Sequence, residues 1–142
     1  MECEFPEKNA SSAEVSAILK QYKTIAVVGL SDKPDRPSYG VSEYMQQHGY
    51  RILPVNPALK GPVLGEQSYA DLKSLPVKPE IVNIFRKPDA VPEIVDEAIA
   101  VGAKVIWMQE GVVHNAAAEK ARQAGLQVVM NKCLLKEHHH AG

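Results

Sequence analysis

Two patterns of apolar and polar positions follow each other repeatedly along the chain. Short continuous apolar runs, typical of strands buried on both faces of a sheet, alternate with stretches whose apolar residues recur at helical spacing. The predicted strands cover residues 24–28, 52–55, 81–85, 105–108 and 128–130. The predicted helices, with their caps, cover residues 11–22, 38–49, 70–75, 89–102 and 115–125.

Residues with strong capping preferences mark the predicted helix ends. Ser11 and Glu14 have the spacing of a capping box, in which each side chain bonds the backbone of the other residue. Ser38 and Asp89 are predicted to cap the helices that follow them, because their side-chain oxygens can accept bonds from free N–H groups. Gly102 suits the end of the helix that precedes it.

The alternation of strand and helix predicts the fold class. Short connections between the elements favour right-handed crossovers and parallel strands. We therefore expect an α/β fold, a Rossmann-like doubly wound parallel sheet of about five strands with helices on both faces. A chain of 142 residues has the size of one domain, so we expect a single domain over residues 1–142 with loose tails at 1–10 and 138–142.

Composition and charge exclude several classes of protein. Hydrophobic residues make up 45% and charged residues 23%, which is typical of a soluble globular protein. The net charge of −1 favours neither a nucleic-acid partner nor a polybasic membrane contact. No apolar run approaches the roughly 18 residues of a membrane span, and no secretory signal is visible. Cys3 and Cys133 form neither a disulfide framework nor a zinc pair, so we expect a cytoplasmic protein without a metal.

The residues that follow the first strand suit a phosphate. Ligands of such sheets lie at the carboxyl ends of the strands. Gly29 allows a tight turn, and the next helix offers N–H groups and the positive end of its dipole. Ser31 and Ser38 add hydroxyl groups, and Arg36 adds a cation. The spacing is not that of the G-x-G-x-x-G fingerprint, so an ordinary strand–helix turn with a surface arginine remains the alternative.

The ends of the second and third strands favour a phosphorylated nucleotide. Val55-Asn56-Pro57 provides no acid for ribose hydroxyls, and Lys60 follows. A basic group there favours a phosphate on the ribose, as in NADP or in the 3′-phosphorylated adenosine of coenzyme A. Phe85 can lie against an adenine, while Arg86 and Lys87 can reach phosphates. The alternatives are a solvated Lys60 and a core Phe85 with two exposed cations.

The last segments offer polar groups but no catalytic constellation. Gln109 and Glu110 follow the fourth strand, and Gly111 allows close approach of a ligand to the backbone. No nucleophile–histidine–acid order, H-E-x-x-H motif or P-loop is present. For His114 a capping or solvated role is favoured over a general base. For Cys133 a small buried core residue is favoured over a thiol that faces the ligand.

Six segments carry a family pattern in a fixed order. They read AVVGLS at 26–31, RPSYGV at 36–41, PVNP at 54–57, VNIFR at 82–86, VIWMQEG at 105–111 and MNKC at 130–133. This pattern resembles the CoA-binding domain family, typified by the N-terminal domain of the succinyl-CoA synthetase alpha subunit. The chain is most similar to the small stand-alone members of that family. Where those members often carry Asp-Arg, this chain has Asn131-Lys132.

The resemblance implies a role for each strand end. The turn at 29–31 and the helix start at 38–40 would take the pyrophosphate, with Arg36 assisting. Lys60 would meet the nucleotide phosphates, Phe85 and Arg86 would border the adenosine, and residues 109–111 would line the pantetheine arm. The predicted binding residues are Gly29, Leu30, Ser31, Arg36, Ser38, Tyr39, Gly40, Val55, Asn56, Pro57, Lys60, Phe85, Arg86, Gln109, Glu110 and Gly111.

The expected function is therefore binding of coenzyme A or acyl-CoA without catalysis, as a sensor, a carrier or an accessory subunit. The phosphohistidine of the synthetase lies in a later domain and its nucleotide chemistry in a partner subunit, so the ligase reaction is not implied. A homodimer or a partner enzyme stays open. The alternatives are an NADP-dependent oxidoreductase and a structural or interaction module with a vestigial crevice.

Overall fold

Five parallel strands form one sheet in the computed structural model, which describes residues 4–141. Their order is β2-β1-β3-β4-β5. The strands are β1 (Thr24–Val28), β2 (Arg51–Val55), β3 (Ile81–Ile84), β4 (Val105–Met108) and β5 (Gln127–Val129). This architecture confirms the predicted Rossmann-like α/β class and the number of strands. Cys3 lies outside the described residues.

Five α-helices cover the two faces of the sheet. They are α1 (Ser12–Gln21), α2 (Pro37–Gln47), α3 (Val91–Val101), α4 (Asn115–Gln123) and α5 (Leu134–Ala141). Single 3₁₀ turns occur at Leu72–Ser74 and Pro88–Ala90. Helix α5 was not predicted from the sequence. A short helix was predicted at 70–75, but the structure has only the 3₁₀ turn at Leu72–Ser74. Pro76 disfavours helical backbone at the residue before it, which ends the helical segment there.

Alternate strand residues enter two separate cores. On one face, Ala26, Val82 and Ile106 pack with α3 and α4. On the other face, Val27 and Trp107 pack with α1, α2 and α5. Both faces of β1, β3 and β4 are therefore buried, which explains why these strands are continuous apolar runs in the sequence. No helix of the described chain is long and apolar enough to cross a membrane.

Of the predicted residues at helix starts, Ser11 is confirmed and Ser38 and Asp89 are wrong, whereas Gly102 is confirmed as the residue that ends α3. The Ser11 hydroxyl accepts from the N–H of Glu14 at 3.2 Å, and the Glu14 carboxylate accepts from the N–H of Ser11 at 2.9 Å. Ser38 is not a cap, because α2 already begins at Pro37, whose fixed φ suits a first helical turn. Asp89 is not the cap of α3 either, since it lies inside the 3₁₀ turn that precedes the helix.

Both predicted tails make tertiary contacts within the described residues. The Asn9 side chain donates to the carbonyl of Met130 at 2.8 Å and accepts from its N–H at 2.9 Å, so the N-terminal segment is tied to the end of β5. At the other end, residues 138–141 continue α5. The Tyr44 hydroxyl lies 3.0 Å from Nδ1 of His138. These tertiary contacts hold segments whose local sequence is polar.

Stability is expected to fall as the pH drops below about 6.5, in part because of His138. Burial lowers the pKa of His138, and the nearby charges of His48, Lys23 and His139 lower it further. The folded state then binds this proton less tightly than the unfolded chain, so its contribution is complete above the unfolded pKa and is lost as the pH falls toward the folded one. Melting curves of the wild type and of His138→Gln check this. The variant should lose less melting temperature on acidification.

A matched change at exposed His140 on the same helix serves as the control. His140→Gln should retain the acid-dependent loss that the wild type shows. Equal losses in the wild type and in His138→Gln would contradict the assignment to His138.

Candidate functional site

The carboxyl ends of β1 and β3 lie side by side where the order of the sheet reverses. From β1 the chain crosses to β2 at one edge and then returns to β3 on the other side of β1. Sheets of this kind bind ligands in the crevice outside such a reversal point. Gly29 and Phe85 directly follow these two strands and therefore border the crevice.

Gly29 lets the two strand ends approach each other closely. Its φ is +91°, and a Cβ atom at this position would collide with the carbonyl oxygen of Phe85. The N–H of Gly29 donates to the carbonyl of Val55 at 2.8 Å, and the N–H of Phe85 donates to the carbonyl of Val28 at 2.9 Å. Both the backbone conformation and the contact between β1 and β3 thus require glycine here.

A cavity of about 650 Å³, here called the main cavity, opens beside this contact. It is bounded by the start of α2, the residues after β3 and β4, and the connection from β5 to α5. Its lining residues are Pro37, Val41, Phe85, Arg86, Lys87, Pro88, Gln109, Glu110, Gly111, Val112 and Cys133. The structure therefore brings together the predicted binding residues of the third and fourth strand ends.

Gln109, which lines the main cavity, is a buried polar residue. The residue is only 5% exposed. Its side-chain oxygen Oε1 has no hydrogen-bond partner among the described residues. A buried acceptor without a partner costs about 1–3 kcal/mol, so this wall suits a ligand group that donates a hydrogen bond.

The four cations that the sequence analysis names at the strand ends are exposed and free to meet an anion. They are Arg36, Lys60, Arg86 and Lys87. None of the ion pairs formed within residues 4–141 includes one of them. Two of them, Arg86 and Lys87, line the main cavity. Because uncommitted cations attract phosphate groups, this side of the cavity is suited to a polyanionic ligand.

A second cavity of about 160 Å³ lies next to the first and shares Arg86 with it. Val28, Val55 and Pro57 line it together with three acidic side chains, Asp71, Glu93 and Glu97. These carboxylates repel phosphate groups, whereas they can accept hydrogen bonds from hydroxyl or amino groups. The main cavity is therefore the better site for a phosphorylated ligand.

The loop between β1 and α2 uses several of the donors that the sequence analysis assigned to a pyrophosphate. The N–H of Ser31 donates to the Ser38 hydroxyl at 3.0 Å. The N–H groups of Tyr39 and Gly40 donate to the carbonyl of Arg36, at 3.1 and 3.2 Å. Pro37, the first helical residue, has no N–H. Attraction of phosphates here consequently depends more on side-chain cations than on backbone amides.

The segment after β2 has a structural role that its sequence did not reveal. The Asn56 side chain donates to the carbonyl of Leu30 at 3.1 Å and accepts from the N–H of Ala58 at 2.9 Å. Asn56 thus ties the end of β2 to the loop after β1. Lys60 follows in an exposed loop and lines neither of the two cavities. The side chain of Leu30 is fully buried.

In the far wall of the main cavity, a hydrogen bond and an ion pair connect the residues that follow β4 to those that follow β5. The N–H of Gly111 donates to the Asn131 side chain at 2.8 Å. The Glu110 carboxylate pairs with Lys136 at 3.0 Å, and this contact raises the pKa of Lys136. Asn131 adopts a φ of +58°, a conformation that both Asn and Asp tolerate. An aspartate at this position would preserve the acceptor for Gly111.

Two residues left open by the sequence analysis now have defined positions. The Nδ1 atom of His114 accepts from the N–H of Ala117 at 3.1 Å, which confirms the capping role, at the start of α4. Cys133 is buried, as predicted, and it also lines the main cavity. Its place in the MNKC segment was the sequence signal for that wall. No group of three metal-ligating side chains occurs between residues 4 and 141.

The fold and the cavity together define a Rossmann-like domain with a crevice that is lined in part by cations. Comparison with family models is consistent with this class, because the model of the CoA-binding domain matches residues 23–139. The chain belongs to the CoA-binding domain family. Protein YneT of Bacillus subtilis (strain 168), described as uncharacterized, is 40% identical over 131 residues, covering 92% of this chain and 96% of YneT.

Solved structures show the same fold over nearly the whole chain. A hypothetical protein from Pyrococcus horikoshii OT3 is 40% identical, with a TM-score of 0.90 and 99% of each chain covered. The PH1109 protein redesigned for binding is 38% identical, with a TM-score of 0.91, over 96% of this chain and 95% of that one. The dinucleotide-forming acetyl-coenzyme A synthetase 1 of Ca. Korarchaeum cryptofilum is 20% identical, with a TM-score of 0.63. It shares the fold over 75% of this chain and 25% of its own.

Proposed function

We propose that this protein binds coenzyme A, free or acylated, in the main cavity and does not transform it. The observation that carries the proposal is the cavity itself, which lies beside the reversal point of the sheet. It combines uncommitted cations on one wall with the unpartnered oxygen of Gln109 on another. Family membership supports coenzyme A over other anionic nucleotides.

The chemistry of the cavity fits the parts of this ligand. Coenzyme A joins a phosphorylated adenosine, through a pyrophosphate, to a pantetheine arm with two amides and a terminal thiol. Arg86 and Lys87 are suited to the phosphates, and Phe85 offers an aromatic surface for the adenine. An amide N–H of the pantetheine arm supplies the donor that Gln109 lacks.

A binding role without catalysis is supported by how the polar groups around the cavity are used. Glu110 is paired with Lys136, and the ring of His114 caps α4. These side chains are thus engaged in holding the fold. We propose that the protein acts as a sensor or carrier of CoA or acyl-CoA, or as an accessory subunit of a partner enzyme.

A ligand panel tests this function by thermal shift and calorimetry. Coenzyme A should stabilise the protein by about 2.7 kcal/mol at a hundredfold excess over its Kd, since a ligand that binds only the folded state shifts the unfolding equilibrium. Dephospho-CoA should bind more weakly, because it lacks one anionic group. Added salt should weaken both interactions by screening them. NAD should produce no shift.

Two outcomes would contradict the proposal. Stabilisation by NADP but not by coenzyme A would favour an NADP-dependent oxidoreductase. The absence of any shift, with heat of binding also absent in calorimetry, would favour an interaction module with a vestigial crevice.

A further inference from the structure

We propose that Cys133 is a modification site, at which its thiol forms a mixed disulfide with coenzyme A held in the main cavity. The inference rests on the proposed function, because it takes coenzyme A as the occupant of the cavity. It adds a covalent, redox-dependent state to reversible binding.

The fold places the Cys133 thiol at the cavity and away from bulk solvent. Cys133 directly precedes α5, and its carbonyl accepts from the N–H of Glu137 at 2.9 Å in the first turn of that helix. The residue is 7% exposed and lines the main cavity. Its thiol is free. A disulfide that reaches this thiol must therefore enter through the cavity.

Gln109 is a second feature of this wall that suits a ligand. It lines the same cavity, is more than nine-tenths buried, and leaves its oxygen Oε1 without a partner among the described residues. An N–H donor supplied by a ligand would satisfy it. In coenzyme A, the amide N–H groups lie on the pantetheine arm, whose end carries the thiol.

The order of the strands matches the order of groups in the ligand. Arg86 and Lys87 follow β3, Gln109 follows β4, and Cys133 lies in the connection that follows β5. Adjacent strands lie about 4.8 Å apart, so these residues succeed one another across the edge of the sheet. The sequence of cation, amide acceptor and thiol parallels that of phosphates, pantetheine amides and thiol.

The step is a thiol–disulfide exchange with the disulfide of coenzyme A as co-reactant. The Cys133 thiolate attacks one sulfur of CoA disulfide, and the bond between the two CoA sulfurs breaks. A bond forms between Sγ of Cys133 and the attacked sulfur. The second CoA leaves as a thiolate and takes up the proton that Cys133 released. One disulfide replaces another, so no further oxidant is needed.

Intact-mass spectrometry of the full chain tests the proposal. A Cys3→Ser background leaves Cys133 as the remaining thiol. Incubation with CoA disulfide should add the mass of one CoA less two hydrogen atoms, and dithiothreitol should remove it. The reaction should be at least about tenfold faster than with glutathione disulfide at equal concentration, because binding in the cavity raises the local concentration of the reagent. Acetyl-CoA, whose thiol is blocked, should slow it.

Matched variants and a separate binding measurement distinguish the possible failures. Cys133→Ser and Cys133→Ala, added to the Cys3→Ser background, should both abolish the adduct, and melting curves identify which of them is folded. Calorimetry with reduced CoA measures reversible binding alone. Binding without an adduct would overturn this inference and leave the proposed function intact. Equal rates with both disulfides would show a generally reactive thiol and would also overturn it. If calorimetry showed no binding of reduced CoA to the protein, the proposed function would be overturned.

Discussion

Replacement of Gly29 by alanine is expected to destabilise the protein by roughly 3 kcal/mol and to abolish binding of coenzyme A. At a φ of +91°, a side chain is strained, and the new Cβ would collide with the carbonyl oxygen of Phe85. Relief of this collision requires the ends of β1 and β3 to separate. Because those ends border the main cavity, its shape changes as well. Melting curves and calorimetry with coenzyme A measure the two effects.

Gly49 provides a closely matched control for the backbone strain. Its φ is also +91°, but no heavy atom beyond its chain neighbours lies within 4 Å of the position that a Cβ would take. Gly49→Ala should cost about 1 kcal/mol and leave binding of coenzyme A unchanged. If both variants lost the same stability, the contact with Phe85 would not be the reason for glycine at position 29.

Removal of the charge of Arg86 is expected to produce the largest loss of affinity among stable variants. Arg86 lines both cavities and has no carboxylate partner among the described residues. Arg86→Met preserves most of the aliphatic stem and removes the guanidinium. A charge-assisted contact to a phosphate then disappears, so affinity for coenzyme A should fall about 10- to 100-fold. Titration at several salt concentrations should also show a weaker dependence on salt.

Arg51→Met changes the net charge by the same amount as Arg86→Met, but at the amino-terminal end of the strands. Arg51 is exposed and begins β2, whereas ligands bind at the carboxyl ends of the strands. Its substitution should leave affinity and salt dependence unchanged. Equal losses in the two variants would mean that coenzyme A responds to overall charge instead of to a contact with Arg86.

Local sequence predicted the elements whose signals are complete within the element. The apolar run of β1 and the capping box at Ser11 are two such signals, and both are confirmed. Helix α5 lacks a complete signal, because its apolar pair Leu134-Leu135 is followed by a polar run. Contacts of His138 with the rings of Tyr44 and Tyr50 supply the missing packing. Such contacts join residues about 90 positions apart, so no local pattern reveals them.

The candidate site was only partly visible in the sequence for a similar reason. Topology alone indicated that the residues after β3 and β4 would share a crevice, and Arg86 and Gln109 do line one cavity. The same reasoning predicted that Asn56 and Lys60 would border this crevice. The structure instead engages Asn56 in holding two loops together and leaves Lys60 outside both cavities. The position of a residue after a strand fixes where its backbone lies. The direction of its side chain and its hydrogen bonds decide whether the side chain enters the cavity.

The sequence by itself determined the class of fold, the end of the sheet at which the candidate site lies, and the family. Buried parallel strands need apolar residues on both faces, and crossover geometry then places their carboxyl ends together. Only the tertiary structure decided which groups enter the cavity, which are already engaged within the protein, and that Cys133 lies in the wall beside Gln109. Those properties depend on distances between segments far apart in the chain, and such distances are set by packing of the two cores.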